Sequence, residues 1–247
     1  MESDASVRSA EHHASPPSVT YTGYLRLPEL LQLQTPLTAD DRPHTQLSEH
    51  LFIVVHQSCE LWLRHILLEL RATLDALGRH PSHLHASVGH LRNAASCAAQ
   101  LSAQTRVLEE LPLAAFHDFR SRLGTASGAQ SGQFHELYRI VGLDDPPGPL
   151  MAAVRRVMSY YGTTPARARL ERAPGDVLYE VADALDRLAA GIRTWQEAHI
   201  HVVTRALGDD SGTGGTSGAQ YLRSRARAPF PELRADLTAV DRLEEAV

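Results

Sequence analysis

The sequence contains no lysine, so all 24 of its lysine-or-arginine positions are arginine. This absence excludes enzymes that form a Schiff base through a lysine amine, and it excludes nucleotide-binding proteins that use a P-loop lysine. Any anion that the protein binds must therefore be held by arginine, histidine, hydroxyl groups or backbone amides. Arginine suits this role, because its planar guanidinium binds a carboxylate through two parallel hydrogen bonds.

Cysteine, long apolar runs and basic segments are also scarce. Cys59 and Cys97 are too few for a disulfide scaffold, and they form no CxxC motif. No apolar run approaches the roughly 20 residues of a membrane span, and the N-terminus does not resemble a signal peptide. The formal net charge is -5, without the basic stripe that is typical of nucleic-acid-binding proteins. We therefore expect a cytoplasmic protein that binds neither membranes nor nucleic acids.

The pattern of apolar residues is helical almost throughout. Residues 1–18 are polar and contain proline, so we expect a disordered tail followed by a single all-α domain over residues 19–247. Apolar residues at steps of three or four predict helices over residues 45–78, 82–110, 113–123, a stretch ending at 141, 150–161 and 176–207. Residues 21–33 are predicted to start extended and then to become briefly helical. No segment alternates like a strand, and the predicted fold class is an all-α helical bundle.

Two histidines lie on the apolar stripes of different long helices. His56 belongs to the first long predicted helix and His199 to the last. Each is compatible with an ordinary buried histidine, but two that face one core also fit a cofactor pocket, because bundle cores hold haem and metal sites. A two-metal carboxylate site is not supported, since Glu197 is followed three residues later by Ile200 rather than by histidine. Zinc needs three or four convergent ligands, so a haem pocket fits best. His201 is predicted to face solvent.

An arginine and a glycine-rich loop are the candidate anion sites. Phe116 and Arg120 are four residues apart on a short predicted helix, so they share a face, although such an arginine is usually a surface residue. The segment SGTGGTSG at residues 211–218 offers amides and hydroxyls to an anion. It follows no strand and contains no lysine, so it is neither a P-loop nor a dinucleotide-binding loop. Taken alone, it is typical of a flexible linker.

Six stretches of the chain, taken together and in order, resemble the tryptophan 2,3-dioxygenase family. They are YTGYLRLPELL (21–31), LFIVVHQSCELW (51–62), FRSRLGTASGAQS (119–131), WQEAHIHVVTRALG (195–208), SGTGGTSGAQYL (211–222) and FPEL (230–233). The match is lost over residues 143–176, where the chain is shorter than is usual in the family. The sequence is therefore similar to a divergent, shortened bacterial member.

The resemblance implies an all-α oxygenase with a haem b between long core helices, usually assembled as a homotetramer. It implies that His199 is the iron ligand and that Trp195, Ser127 and Gly128 contact the haem. It also implies that His56 is a catalytic residue, which accepts a hydrogen bond from the indole N–H of the substrate.

The substrate site that the resemblance implies is built from several segments. Phe52 packs on the indole, Arg120 holds the substrate carboxylate, and Thr213 contacts the ammonium and carboxylate groups. Family members also lend a segment to the active site of a neighbouring subunit, and this segment is matched by Tyr21, Tyr24 and Leu25.

Two positions in the substrate site depart from the family pattern. Phe116 stands where the family usually has tyrosine, so one neutral hydrogen bond to the substrate carboxylate is missing, at a cost of about 0.5–1.5 kcal/mol. Ala129 replaces a large aromatic residue, which opens room near the substrate loop unless another side chain fills it. Both departures indicate a specialised relative.

The leading hypothesis for function is a haem-dependent dioxygenase. It would act on the indole C2–C3 bond of L-tryptophan or a substituted tryptophan and use O2 to give an N-formylkynurenine-type product. One alternative is monooxygenation of tryptophan or β-methyltryptophan to a 2-oxindole or hydroxylated product in natural-product biosynthesis. A second is a non-catalytic haem-binding sensor, and a third is an interaction bundle without a cofactor.

Overall fold

The computed structural model describes residues 19–208 and 210–235, except for the side chains of residues 234 and 235. The tail predicted at residues 1–18 lies outside the described residues. Within them the backbone forms helices and no strand, so the predicted all-α class is confirmed. Residue contacts group the chain into two compact units, 1–35 and 36–247. The domain predicted over residues 19–247 therefore spans the boundary between these units.

The first unit contains two short helices, α1 (Tyr21–Tyr24) and α2 (Leu27–Leu30). The hydroxyl of Thr20 accepts a hydrogen bond from the backbone N–H of Gly23 at 3.1 Å and caps α1. The expectation of an extended start to this segment is wrong, because the local cap stabilises a helical turn. Tyr21 and Tyr24 are exposed, and no described residue of α1 or α2 is buried.

The second unit contains the long helices and the shorter ones that cover them. They are α3 (Pro43–Gly78), α4 (Leu84–Arg106), α5 (Leu113–Arg120), α6 (Gly132–Val141), α7 (Gly148–Tyr160), α8 (Pro165–Glu171), α9 (Val177–Leu207), α10 (Ala219–Arg225) and α11 (Glu232–Ala235). Among the described residues, three 3-10 turns accompany them, at Val107–Glu110, Ser121–Leu123 and Gly128–Gln130. The predicted helices over 82–110 and 113–123 therefore each end in a 3-10 turn. The helices α8, α10 and α11 were not predicted, because they are too short to show an apolar stripe.

The core lies along α3, α4 and α9. Helix α4 packs against both α3 and α9, whereas α3 and α9 have few direct contacts with each other. The close approach of α4 and α9 depends on Gly191, where an added Cβ would lie 3.0 Å from the Cβ of Ala98. Leucine and isoleucine side chains fill the interfaces, among them the fully buried Leu70 and Ile192. Burial of each such side chain contributes about 1.5–3 kcal/mol.

Helix α3 is long and apolar enough to cross a membrane by length and composition, although no such span was expected from the apolar runs of the sequence. A long core helix satisfies the same criteria. The side chains of Leu63 and Ile66 on α3 are fully buried in the core. The carboxylate of Glu49, also on α3, is buried and accepts hydrogen bonds from the backbone N–H groups of Leu37 and Thr38, each at 2.8 Å. These contacts are those of a core helix.

Candidate functional site

A cavity of about 600 Å³ lies within the second unit, with walls formed mainly by α3, α5, α6, α9 and α10. The 3-10 turn at Gly128–Gln130 and part of the glycine-rich segment 211–218 complete its lining. More than half of the lining residues are apolar, and the others include histidines, arginines and hydroxyl-bearing side chains. This volume and composition are those of sites that bind small molecules and cofactors.

His199 faces this cavity from α9. Its ring stacks on Trp195, one turn earlier, with the ring centroids 5.8 Å apart, and Phe134 stacks on Trp195 at 4.8 Å. Burial and the nearby His56 lower the pKa of His199 to about 4, so the imidazole is neutral near pH 7. No described residue makes a hydrogen bond to its ring nitrogens. A neutral imidazole held by stacking is the form of histidine that binds a metal ion.

His56 lines the same cavity from α3. Its ring lies against Phe52, with the centroids 4.0 Å apart, and its Nδ1 lies 2.7 Å from the carbonyl oxygen of Phe52. Because a carbonyl oxygen only accepts, Nδ1 carries the proton and Nε2 is left as an acceptor. The ring is accessible from the cavity, but the protein around it removes much of its hydration, and this desolvation lowers the pKa of His56. The hydrogen bond to Phe52 and the charge of Glu60 raise the pKa, but their effects are smaller. The structure thus provides a neutral histidine with an accepting nitrogen.

Helix α5 brings Phe116 and Arg120 to the cavity wall. Phe116 is buried, and its ring centroid lies 6.2 Å from that of Phe52. The side chain of Arg120 is only 22% exposed; its Nη2 donates to the backbone carbonyl of Ser211, and its Nη1 lies 3.9 Å from a carboxylate oxygen of Asp210. Arg120 is therefore a cavity residue whose contacts come from the segment that follows α9, rather than a surface residue.

The glycine-rich segment packs against the turn that precedes α6. The hydroxyl of Thr213 donates to the backbone carbonyl of Ala126 at 2.6 Å. Gly214 lies so close to Ser127 that an added Cβ would be 2.6 Å from the Cβ of Ser127. The hydroxyl of Ser127 in turn accepts from the backbone N–H of Ala129 at 3.3 Å. The two segments form one wall of the cavity, which a free linker would not do.

The predicted haem contacts Ser127 and Gly128 and the substituted position Ala129 all lie in this wall. The carbonyl of Ala129 lies 2.8 Å from Nε2 of His135, which ties the turn to α6. Ala129 is exposed and lines the cavity, and the extra room expected beside it stays a prediction.

Three of the predicted site residues belong to the first unit rather than to the unit that contains the cavity. They are Tyr21, Tyr24 and Leu25, which are exposed, and their role in the site of a neighbouring subunit stays a prediction. His201 is exposed, as the helical spacing predicted.

Sequence reasoning missed a second polar region of the wall, formed by Tyr138, Gln196 and Arg225. Gln196 precedes His199 by three residues, so helical spacing alone predicts that the two side chains share a face. Tyr138 and Arg225 lie on separate short helices, and no pattern in the sequence relates them.

These observations define an all-α protein in which two neutral histidines and an arginine line one cavity that is mostly apolar. A sequence model of the family described as tryptophan 2,3-dioxygenase matches residues 5–145 and 165–237. The chain therefore belongs to the tryptophan 2,3-dioxygenase family, as the motifs indicated. The unmatched residues 146–164 lie within the stretch 143–176 where the resemblance is lost.

Individual relatives cover nearly the whole chain. It is 34% identical to the tryptophan 2,3-dioxygenase of Anaeromyxobacter dehalogenans (strain 2CP-C), over 88% of this chain and 95% of that protein. It is also 34% identical to the enzyme of that name from Nocardioides sp. (strain ATCC BAA-499 / JS614), over 84% of this chain and 89% of the relative. The identity to the Herpetosiphon aurantiacus protein of the same name is 29%, over 89% and 99% of the two chains.

Proposed function

We propose that this protein is a haem-dependent dioxygenase that inserts both atoms of O2 across the indole C2–C3 bond of L-tryptophan or a substituted tryptophan. The observation that carries the proposal is the histidine pair on the cavity wall. His199 is neutral and has no hydrogen-bond partner among the described residues, and His56 presents an accepting Nε2. The family and the names of the relatives support dioxygenation over monooxygenation and over a sensor without turnover.

The donor set of the cavity fits a haem. His199 would supply the nitrogen ligand, Trp195 would hold its ring by stacking, and Ser127 and Gly128 in the wall would contact the macrocycle. When bound, the haem supplies the oxygen chemistry. The apolar walls would exclude water from it.

The residues of the chain bind and orient the substrate. Nε2 of His56 accepts the indole N–H, and Phe52 packs on the indole ring, with Phe116 beside it at a centroid distance of 6.2 Å. Arg120 binds the carboxylate, in exchange for its contact with the loop carbonyl, and the hydroxyl of Thr213 contacts the ammonium and carboxylate groups. This arrangement holds the C2–C3 bond in one place, which is the main contribution that a protein makes to such a reaction.

The substrate range and the assembly belong to the same proposal. The missing hydroxyl at Phe116 and the small side chain of Ala129 at the cavity support a substituted tryptophan as substrate, in secondary metabolism rather than in general tryptophan catabolism through kynurenine. The exposed aromatic side chains of Tyr21 and Tyr24 support assembly into a homotetramer, in which they would reach a neighbouring subunit. We place the protein in the cytoplasm.

The test is the mass of the product. Ferrous holoprotein is mixed with L-tryptophan, β-methyltryptophan or ring-substituted tryptophans in the presence of ascorbate and ¹⁸O2. The expected product gains two labelled oxygen atoms. A gain of one labelled atom would replace the proposal with monooxygenation, and an intact haem spectrum without any product would replace it with a sensor.

A further inference from the structure

Arginine dominates the charge of the cavity wall. Among the described residues that line the cavity, Arg120, Arg205 and Arg225 are positively charged, and Glu60 is the one carboxylate. Asp210 and Asp144 do not line the cavity, but they lie 3.9 Å from Arg120 and 2.5 Å from Arg225, so a bound anion would share these two arginines with them. Three guanidinium groups on one wall still offer donors to a ligand with more than one negative group. The proposed amino-acid substrate brings a single carboxylate, and its own ammonium group balances that charge.

Two of these arginines contact backbone carbonyl groups. Arg120 contacts the loop carbonyl of Ser211 and is the residue proposed to bind the substrate carboxylate. Nη1 of Arg205 donates to the backbone carbonyl of Leu111 at 3.2 Å and joins α9 to the segment before α5. The binding of substrate described above uses neither Arg225 nor its neighbours.

Arg225 is the last residue of α10 and lies in a polar corner of the cavity. Its Nη2 donates to the carboxylate of Asp144 at 2.5 Å, and among the described residues this is its hydrogen-bond partner. Its guanidinium carbon lies 5.9 Å from the ring centroid of Tyr138 and 5.8 Å from that of Tyr221. Asp144 and the two rings hold the guanidinium in place, while Nε and Nη1 keep the ability to donate to a ligand.

Tyr138 connects this corner to the helix that carries His199. The side-chain amide of Gln196 donates to the hydroxyl of Tyr138 at 3.3 Å. Gln196 and His199 share a face of α9, because they are three residues apart on the helix. The hydroxyl of Tyr138 therefore contacts a residue one helical turn from the expected iron ligand, and both this hydroxyl and the guanidinium of Arg225 can donate hydrogen bonds to an anion.

We propose that Arg225 and Tyr138 form a second carboxylate subsite of the cavity, which binds a propionate group of the haem. The inference rests on the haem cofactor of the proposed function. A haem brings two carboxylates in addition to that of the substrate, which agrees with the presence of three arginines in the wall. Arg225 lies beside the helix of His199, whereas Arg120 lies on α5 with the substrate loop. The carboxylate of a substrate has the same chemistry, so the test must separate these two sources.

The first measurement is haem loss from the holoprotein, followed as transfer to an excess of apomyoglobin. Arg225→Met should lose haem about 10- to 100-fold faster than the wild type, the range that a charge-assisted hydrogen bond contributes. Arg225→Lys should recover part of the difference. Arg223→Met is the matched control, because Arg223 lies on the same helix, donates to Thr204 at 2.9 Å and does not line the cavity.

The second measurement repeats haem loss with protein that carries haem dimethyl ester, which has no carboxylate charge. If Arg225 binds a propionate, the wild type and Arg225→Met should lose the ester at the same rate. An equal acceleration for haem and ester would show that the substitution acts through the fold, and it would overturn the proposal.

Substrate kinetics distinguish the remaining outcomes. Unchanged haem loss with a KM that rises for tryptophan but not for tryptamine would overturn the propionate assignment in favour of the substrate carboxylate. No change in either measurement would show that Arg225 only pairs with Asp144. If the wild-type protein shows no Soret band, the haem cofactor itself is refuted, and the proposed function fails with it. If the wild-type protein binds haem but Arg225→Met loses it no faster, only this subsite fails.

Discussion

Replacement of Arg120 by leucine tests how the protein recognises an amino acid. In the structure its guanidinium lies at the cavity wall and contacts Ser211 and Asp210, so a bound carboxylate would exchange with these groups. A hydrogen bond to a charged group contributes about 1.5–3 kcal/mol. Because the side chain is 22% exposed rather than fully buried, we expect a value within this range and not above it.

The expected result for Arg120→Leu is a fall in kcat/KM for L-tryptophan of about 10- to 150-fold, since each 1.36 kcal/mol corresponds to a factor of ten. Most of the change should appear in KM, because the carboxylate is bound in both the ground state and the transition state. The matched control is Arg122→Leu, since Arg122 donates to the backbone carbonyl of Asp118 and does not line the cavity.

The assay compares L-tryptophan with tryptamine, which keeps the indole and the amine but lacks the carboxylate. Loss of the contact between Arg120 and Ser211 affects both compounds, so the ratio of the two losses isolates the interaction with the carboxylate. An equal loss of kcat/KM for the two compounds would refute the assignment of Arg120 as the carboxylate ligand.

Three further predictions concern the histidines and the loop. His199→Ala should abolish the Soret band of the purified protein, whereas His201→Ala should keep it, since His201 is exposed; a normal spectrum of the first variant would remove His199 as the iron ligand. Thr213→Val loses the hydroxyl that donates to Ala126 and should raise KM about 2- to 10-fold, the effect of one neutral hydrogen bond. The KM of Thr213→Ser should stay close to that of the wild type. Equal KM values for Thr213→Val and Thr213→Ser would show that the hydroxyl is not used. The pKa of His56 is lowered from the usual 6.5. Its neutral, accepting form therefore persists as the pH falls to 6.5 and is lost only at a lower pH. A plot of kcat/KM against pH should therefore stay level from pH 8 to 6.5 and fall at lower pH, with His56→Gln removing the fall; a midpoint above 6.5 would contradict this.

The helices themselves could be predicted because their determinants are local. The stripe on the first long helix places His56 beside Phe52, and the stripe on the last places His199 beside Trp195, through the three-to-four-residue period alone. Segments of about seven residues or fewer carry too few periodic positions, so α10, which supplies Arg225, was not predicted.

The environment of each side chain was less accessible to sequence reasoning. From spacing alone, Arg120 was compatible with an ordinary surface residue, and the segment 211–218 with a flexible linker. Their actual surroundings depend on contacts between residues that are far apart in the chain. The carbonyl of Ser211 meets Arg120, and the carbonyl of Ala126 meets Thr213, only because the segment after α9 packs back on the turn before α6.

By itself, the sequence determined the all-α class, the faces of the long helices, the two histidines on those faces, and the motifs shared with the tryptophan 2,3-dioxygenase family. The tertiary structure decided which side chains from different helices meet. It brought Arg225 to Asp144 and Tyr138, and Arg120 to the glycine-rich loop. The physical reason is that a helix sets the spacing of its own side chains through its backbone hydrogen bonds, whereas the distance between two helices is set by how their buried surfaces pack.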